Sequence, residues 1–298
     1  MRSCCATHSL EKFYEESWQN DMSSGLLNRS GVEIPTKVNY VSQGEGQPII
    51  LIHGLAASLH DWDFLIPQLD RAGYASYALD LLGHGGSPKP DSRSYQMEWL
   101  TDHFLGWMDS LKLDQPAVLI GHSLGGYFAL EYALRFPSRT RGLILVDPFY
   151  SCRQLPAFVR WLYRYPKLIG FLIRNTPIWL LRIIINFTSL SMGHGPSGMH
   201  GLPKSVREQA VLDYEHTAFG VYNLPNTNFD LTPHLASVCV PSLVVWGERD
   251  QALAPPSFSK LASLMPNTKA EHIPATHIPH QTHADWFNRL VLDFLKTI

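Results

Sequence analysis

Cysteine is scarce in this chain, and its four copies (Cys4, Cys5, Cys152, Cys239) have no framework spacing. That argues against a disulfide-stapled fold and makes reduced thiols in a cytoplasmic protein the expectation. Neither sign of charge is in excess: the formal net charge is −2 over 298 residues, so the basic footprint of a nucleic-acid binder is missing. No uncharged apolar run reaches the roughly 18 residues of a conventional membrane span. Met1 to Asn28 lacks the apolar centre of a Sec signal peptide, and residues 1–30 read as a polar N-terminal arm. There is no internal repeat, which sets solenoids and propellers aside.

Short apolar runs alternating with helical patterns are what the chain does have. Pro48 to Ile52 ends at His53-Gly54, and Ala75 to Asp80 follows a helical stretch around Trp62 to Arg71. Ala117 to Ile120, Gly142 to Asp147, Ser242 to Gly247 and Lys269 to Ile273 continue the series, and an amphipathic helix over Ala284 to Lys296 closes it. Buried runs separated by helices predict a parallel sheet covered on both faces, with its chemistry at the carboxyl ends of the strands. The domain expectation is a core of residues 31–147 and 236–298, interrupted by a helical insertion over 148–235.

One of those strand ends carries Gly121-His122-Ser123-Leu124-Gly125-Gly126, followed at once by a helical pattern from Tyr127 to Phe136. A serine on a strand-to-helix turn is held out of the sheet, and the flanking glycines leave room that side chains would fill. A serine nucleophile needs a base, and the base needs an acid. With Trp246-Gly247-Glu248-Arg249-Asp250 after a later strand and Ile273-Pro274-Ala275-Thr276-His277 after the last one, the chain resembles the α/β-hydrolase fold family from Gly31 to Ile298.

The resemblance implies a mostly parallel, doubly wound α/β sheet with an inserted helical cap. It also implies Ser123 as nucleophile, His277 as base and Asp250 as the acid that orients it. Asp147, which also ends a strand, is the alternative acid, and His280 the alternative base. Ala275-Thr276 stands where the family usually has a glycine before the histidine. The implied oxyanion donors are the backbone N–H groups of Leu55 and Leu124. His53, Gly54, Gly121, His122 and Gly125 support the loops, as do Asp80 and the Gly83-His84-Gly85 loop. His272, His280 and His283 crowd the same segment as His277, but no carboxylate or cysteine accompanies them at ligand spacing, so no metal is expected. No cofactor is needed.

From Pro148 to Arg207 there is no Asp or Glu, while eight of the chain's 24 Lys and Arg fall there: Arg153, Arg160, Arg164, Lys167, Arg174, Arg182, Lys204 and Arg207. Aromatic residues, among them Trp161, Tyr163, Tyr165, Phe171 and Trp179, run between them. Two arrangements fit. The basic residues are the solvated face of helices whose apolar face covers the pocket, or the cap lies on an anionic membrane surface. The Gly-rich Ser191 to Leu202 segment reads as a mobile loop at the entrance.

The leading expectation is a serine hydrolase of carboxylic esters with an apolar part, lipid-like substrates included. A carbon–carbon bond hydrolase or thioesterase with the same triad is one alternative, and a ligand receptor of the same fold with negligible turnover is another. Dehalogenases and epoxide hydrolases of this fold need an aspartate at the nucleophile position, which Ser123 occupies.

Overall fold

The computed structural model describes residues 35–92, 94–180, 182–183 and 203–298. The expected N-terminal arm and entrance loop lie outside the described residues. Seven strands form one sheet in the order β1-β3-β2-β4-β5-β6-β7. They are β1 (Tyr40–Gln43), β2 (Gln47–Ile52), β3 (Tyr74–Leu79), β4 (Ala117–His122), β5 (Thr140–Val146), β6 (Ser242–Gly247) and β7 (Thr268–Ile273). β1 runs antiparallel to β3, and every other pairing is parallel.

The central strands are mostly apolar because both faces are covered. Ile50, Ile52, Leu119, Leu143, Leu145 and Val244 enter one core, while Ile49, Leu51, Val118, Ile120, Ile144 and Val245 enter the other. Alternation of the pleat thus divides a continuous hydrophobic run between two helix layers. The edge strand β7 differs, with Lys269, Ala270, Glu271 and His272 all exposed.

Helices α1 (Ile66–Arg71), α2 (Met97–Ser110) and α3 (Leu124–Arg135) precede β5. Between β5 and β6 lie α4 (Ala157–Leu162), α5 (Pro166–Asn175), α6 (Lys204–Glu215) and, among the described residues, three 3-10 segments over Cys152–Gln154, Phe219–Asn226 and Thr232–Ser237. This is the inserted helical cap. After β6 come α7 (Pro256–Leu264), the short α8 (Pro279–Thr282) and α9 (Ala284–Leu295). No helix is expected from the sequence between Gly247 and Lys269, where α7 lies. A proline at the first helical position starts the helix, where its missing N–H costs nothing.

The serine helix begins at Leu124, three residues before its apolar periodicity starts. Gly125 and Gly126 lie inside it as points of close approach. A Cβ on Gly125 would collide with the carbonyl of Ile52, and one on Gly126 would press on Pro148. The elbow can therefore sit against the end of β2 only with glycine at 125. Gly125→Ala is expected to cost about 2–3 kcal/mol, the range for forcing a methyl into a packed site, measured by urea unfolding of the two proteins.

Candidate active site

Ser123 joins β4 to α3 with φ 49° and ψ −113°, a left-handed backbone that a serine adopts only under constraint. The constraint is visible. Its N–H donates to Val146 O (2.9 Å), and its carbonyl accepts from Gly126 N–H (2.9 Å) and Phe149 N–H (2.8 Å). The turn delivers Ser123 Oγ to His277, where Oγ–H donates to Nε2 at 2.9 Å. His277 Nδ1–H in turn donates to Asp250 Oδ2 at 2.7 Å. The Asp250 side chain is wholly buried, whereas that of His277 is a quarter exposed. The three residues form a Ser-His-Asp triad, assembled from the ends of β4, β6 and β7.

Burial alone would raise the Asp250 pKa, but the charge and hydrogen bond of His277 and the N–H groups of Leu253 (3.0 Å) and Ala252 (2.7 Å) outweigh it. The acid therefore stays ionised below the usual carboxylate range. Asp147 is its opposite. Fully buried at the end of β5, with φ 42°, it accepts one hydrogen bond from Gly247 N–H (2.9 Å). Burial first, and then the neighbouring charge of Asp250, push its pKa well above the ordinary value. Asp147 does not reach His277 as a hydrogen-bond partner; it lies behind the acid that does.

The turn after β2 packs against the nucleophile elbow. Gly54 packs so closely that a Cβ there would meet His122 Nδ1 at 2.9 Å and Ser123 Cβ at 3.3 Å. Among the described residues, neither the Leu55 nor the Leu124 N–H has a hydrogen-bond partner. His53 fixes the base of this turn: its Nδ1–H donates to Gly54 O (2.7 Å) and its Nε2 accepts from Leu81 N–H (2.9 Å). Asp80 accepts from Leu59 N–H, Gly86 N–H and Asn39 Nδ2, each at 2.7 Å, and thus holds the neighbouring loops. Gly121 lets β4 pass beneath the carbonyl of Gly125.

Sequence reasoning missed Asp61. Its Oδ2 pairs with His122 Nδ1 (3.0 Å) and accepts from Gly54 N–H (3.3 Å), while Oδ1 accepts from Gln281 Nε2 (3.1 Å). The other His122 nitrogen donates to the backbone carbonyl of His277 (2.9 Å). Both His122 ring nitrogens thus face oxygen, and the contact with Asp61 is buried. Burial opposes the Asp61 charge, but the hydrogen bond and charge of His122 prevail and hold its pKa far below the ordinary value. His280 does not contact Ser123. Buried against His122 and Trp62, with ring centroids 4.4 and 5.1 Å away, it has its pKa driven well down by burial.

The expectation that no carboxylate accompanies the histidines fails in three dimensions, because Asp61 comes to His122 and His280 from a distant 3-10 turn. The sequence signal was only an Asp-Trp pair after the turn that follows β2, which is too common to single out.

A cavity of about 420 Å³, a size suited to a small organic molecule, is lined by His277 of the triad together with His122 and Leu55. Leu55, Ala56, Ala252 and Ile278 form part of its floor, and α6 contributes Val206, Gln209, Ala210 and Asp213. The aromatic residues of α4 and α5 do not line it. The expectation of basic helices whose apolar face covers the pocket holds for α6, which carries Lys204 and Arg207 and lines the cavity with Val206 and Ala210, and not for α4 and α5.

Two variants test this electrostatic arrangement. Asp61→Asn removes the charge facing His122, and kcat is expected to fall about 100-fold with a smaller change in KM, as the base loop shifts. Because its folded pKa is depressed, Asp61 contributes stability above pH 4 that is lost as pH falls through the folded value. Urea midpoints of the two proteins should therefore converge in acid. Asp147→Asn has the reverse sign. A carboxyl raised in the folded state destabilises it progressively as pH rises above the unfolded pKa, so the asparagine variant should melt higher at pH 8 and show no gain below pH 4, by calorimetry at both pH values.

Residues 47–284 match the model of the alpha/beta hydrolase fold. The chain is 30% identical over 226 residues to the Abhydrolase domain-containing protein abhd-5.2 of Caenorhabditis elegans, covering 74% of this chain and 47% of that protein. It is 26% identical over 265 residues to the 2-hydroxy-6-oxo-6-phenylhexa-2,4-dienoate hydrolase of Burkholderia cepacia, covering 87% and 91%. The enol-lactonase structure from Burkholderia xenovorans LB400 superposes with a TM-score of 0.71 at 25% identity, over 87% of this chain and 96% of that one. The chain spans less than half the length of the first curated relatives it matches. With the strand order, the serine elbow, and an acid and a histidine on the last two strand ends all in place, the chain belongs to the α/β-hydrolase fold family.

Proposed function

We propose that this chain hydrolyses a small organic substrate through an acyl-Ser123 intermediate. The hydrogen-bonded line from Asp250 through His277 to Ser123 carries this reading. Ser123 Oγ adds to the substrate carbonyl and passes its proton to His277 Nε2, while Asp250 holds the resulting imidazolium. The carbonyl oxygen, now negative, takes hydrogen bonds from Leu55 N–H and Leu124 N–H, each worth about 3 kcal/mol in the transition state. His277 then protonates the leaving group, and a water deprotonated by the same ring releases the acid and regenerates Ser123.

The favoured substrate class has an enol-type leaving group. Such a group departs as oxygen from an enol ester, or as carbon from a 2-hydroxy-6-oxo-dienoate once its 2-enol has tautomerised to the ketone with a proton added at C5, so that the electron pair of the broken bond is taken up as a dienolate. The dienoate hydrolase and the enol-lactonase named above support this, since one name prints a 2-hydroxy-dienoate, itself an enol, and the other an enol lactone. A second reading, neutral esters with an apolar part, has its own support in the cavity wall. Arg249 is basic there, but Asp61, Asp63 and Asp213 are acidic, a lining that suits an uncharged molecule better than a carboxylate.

Turnover of 2-hydroxy-6-oxo-6-phenylhexa-2,4-dienoate should be compared with that of p-nitrophenyl butyrate. A kcat/KM at least ~10-fold higher for the dienoate is expected, and the reverse order would favour neutral esters. Ser123→Ala should abolish both, along with covalent labelling of the Ser123 peptide by a fluorophosphonate. A folded wild-type chain that does not label would overturn the acyl-enzyme and point to a ligand receptor.

A further inference from the structure

The outer face of the cap is apolar, aromatic and exposed. Phe158, Trp161, Tyr165, Leu168 and Leu172 follow one another at intervals of three and four residues along α4, the turn after it and α5, and each is more than half exposed. Phe158, Trp161 and Tyr165 form a continuous strip, with successive ring centroids 6.2 and 5.9 Å apart. Phe171 and Trp179 extend the same exposure. The inner face of these helices is already occupied: Val159, Tyr163 and Ile169 pack against the core, and Gly170 lies against Phe219. A cap helix in water alone would carry polar side chains on the second face. A patch of this kind marks an interaction surface.

Its rim says what it meets. Arg160, Arg164 and Lys167 are exposed beside the strip and have no ion-pair partner among the described residues. Arg153 and Arg182 at its ends pair with Asp230 (3.6 Å) and Glu208 (3.0 Å), both supplied from outside the acid-free segment. Of the elements packed on α5, the 3-10 segment Phe219–Asn226 is uncharged, and α6 brings Lys204 and Arg207 as well as Glu208, Asp213 and Glu215. Aromatic rings bordered by cations match the phospholipid interface, where rings settle at headgroup depth and cations meet phosphates. A second copy of the chain would set cationic rim against cationic rim.

We propose that α4 and α5 dock this protein on an anionic phospholipid surface, peripherally; no helix of the described residues is long and apolar enough to cross a membrane. α5 packs on α6, whose residues line the cavity, so the docked face lies one helix away from the active site. The docking is read out without turnover and does not depend on the proposed reaction.

Flotation of the full-length chain with two kinds of vesicle tests this. One is phosphatidylcholine alone, the other equal parts phosphatidylcholine and phosphatidylglycerol. Binding is expected to the mixed vesicles and to weaken with added salt. The triple variant Arg160→Glu, Arg164→Glu, Lys167→Glu should lower partitioning at least ~100-fold. Phe158→Ser with Trp161→Ser should lower it comparably, while fluorophosphonate labelling in solution stays as in the parent and reports an intact fold. Equal binding to both vesicle types, or to neither, overturns the proposal. So does concentration-dependent self-association abolished by Trp161→Ser, which would make this face a contact between copies.

Discussion

The buried carboxylate of Asp61 is the constraint on which the site's geometry depends. Through its two oxygens it holds the turn after β2 at Gly54, the nucleophile elbow at His122 and the segment after the base at Gln281. His122 relays the hold to the His277 carbonyl. Two carboxylate–imidazole pairs therefore lie side by side, with the rings of His122 and His277 5.0 Å apart. They differ in one respect. His122 has both nitrogens committed to structure, whereas His277 gives one to Asp250 and keeps the other for Ser123. The first pair fixes the frame in which the second can exchange a proton.

The same economy governs the acids at the ends of β5 and β6. Two carboxylates this close cannot both be charged in a buried site at low cost. The environment separates them: Asp250 has an imidazole and two N–H donors and is held down, while Asp147 has a single N–H donor and is pushed up. Which strand end supplies the acid is thus decided by hydrogen-bond supply, a property of the folded loops rather than of residue type.

That distinction also marks how far the sequence could be read. The order of strands and the serine, acid and histidine at their ends were legible because buried parallel strands announce themselves as apolar runs, with polar chemistry concentrated where they stop. Asp61 was not, since an isolated aspartate in a turn says nothing of a histidine 61 residues away. Helix α7 was not expected either. The outward face of α4 and α5 was legible only as one of two arrangements. Periodicity shows that a helix has an apolar stripe but not which way the stripe points, and here the stripe facing away from the body is apolar too.

The exposed β7 strand has a consequence for the chain's behaviour in a crowded solution. A sheet that ends on a parallel strand offers unpaired backbone groups to any neighbour able to add another strand. Lys269 and Glu271 stand along that border, and His272 beside them is tied to Glu248 at 2.7 Å. A stranger chain pairing there would have to bury those charges, so β7 acts as a guard against edge-to-edge aggregation and keeps the seven-stranded sheet finite.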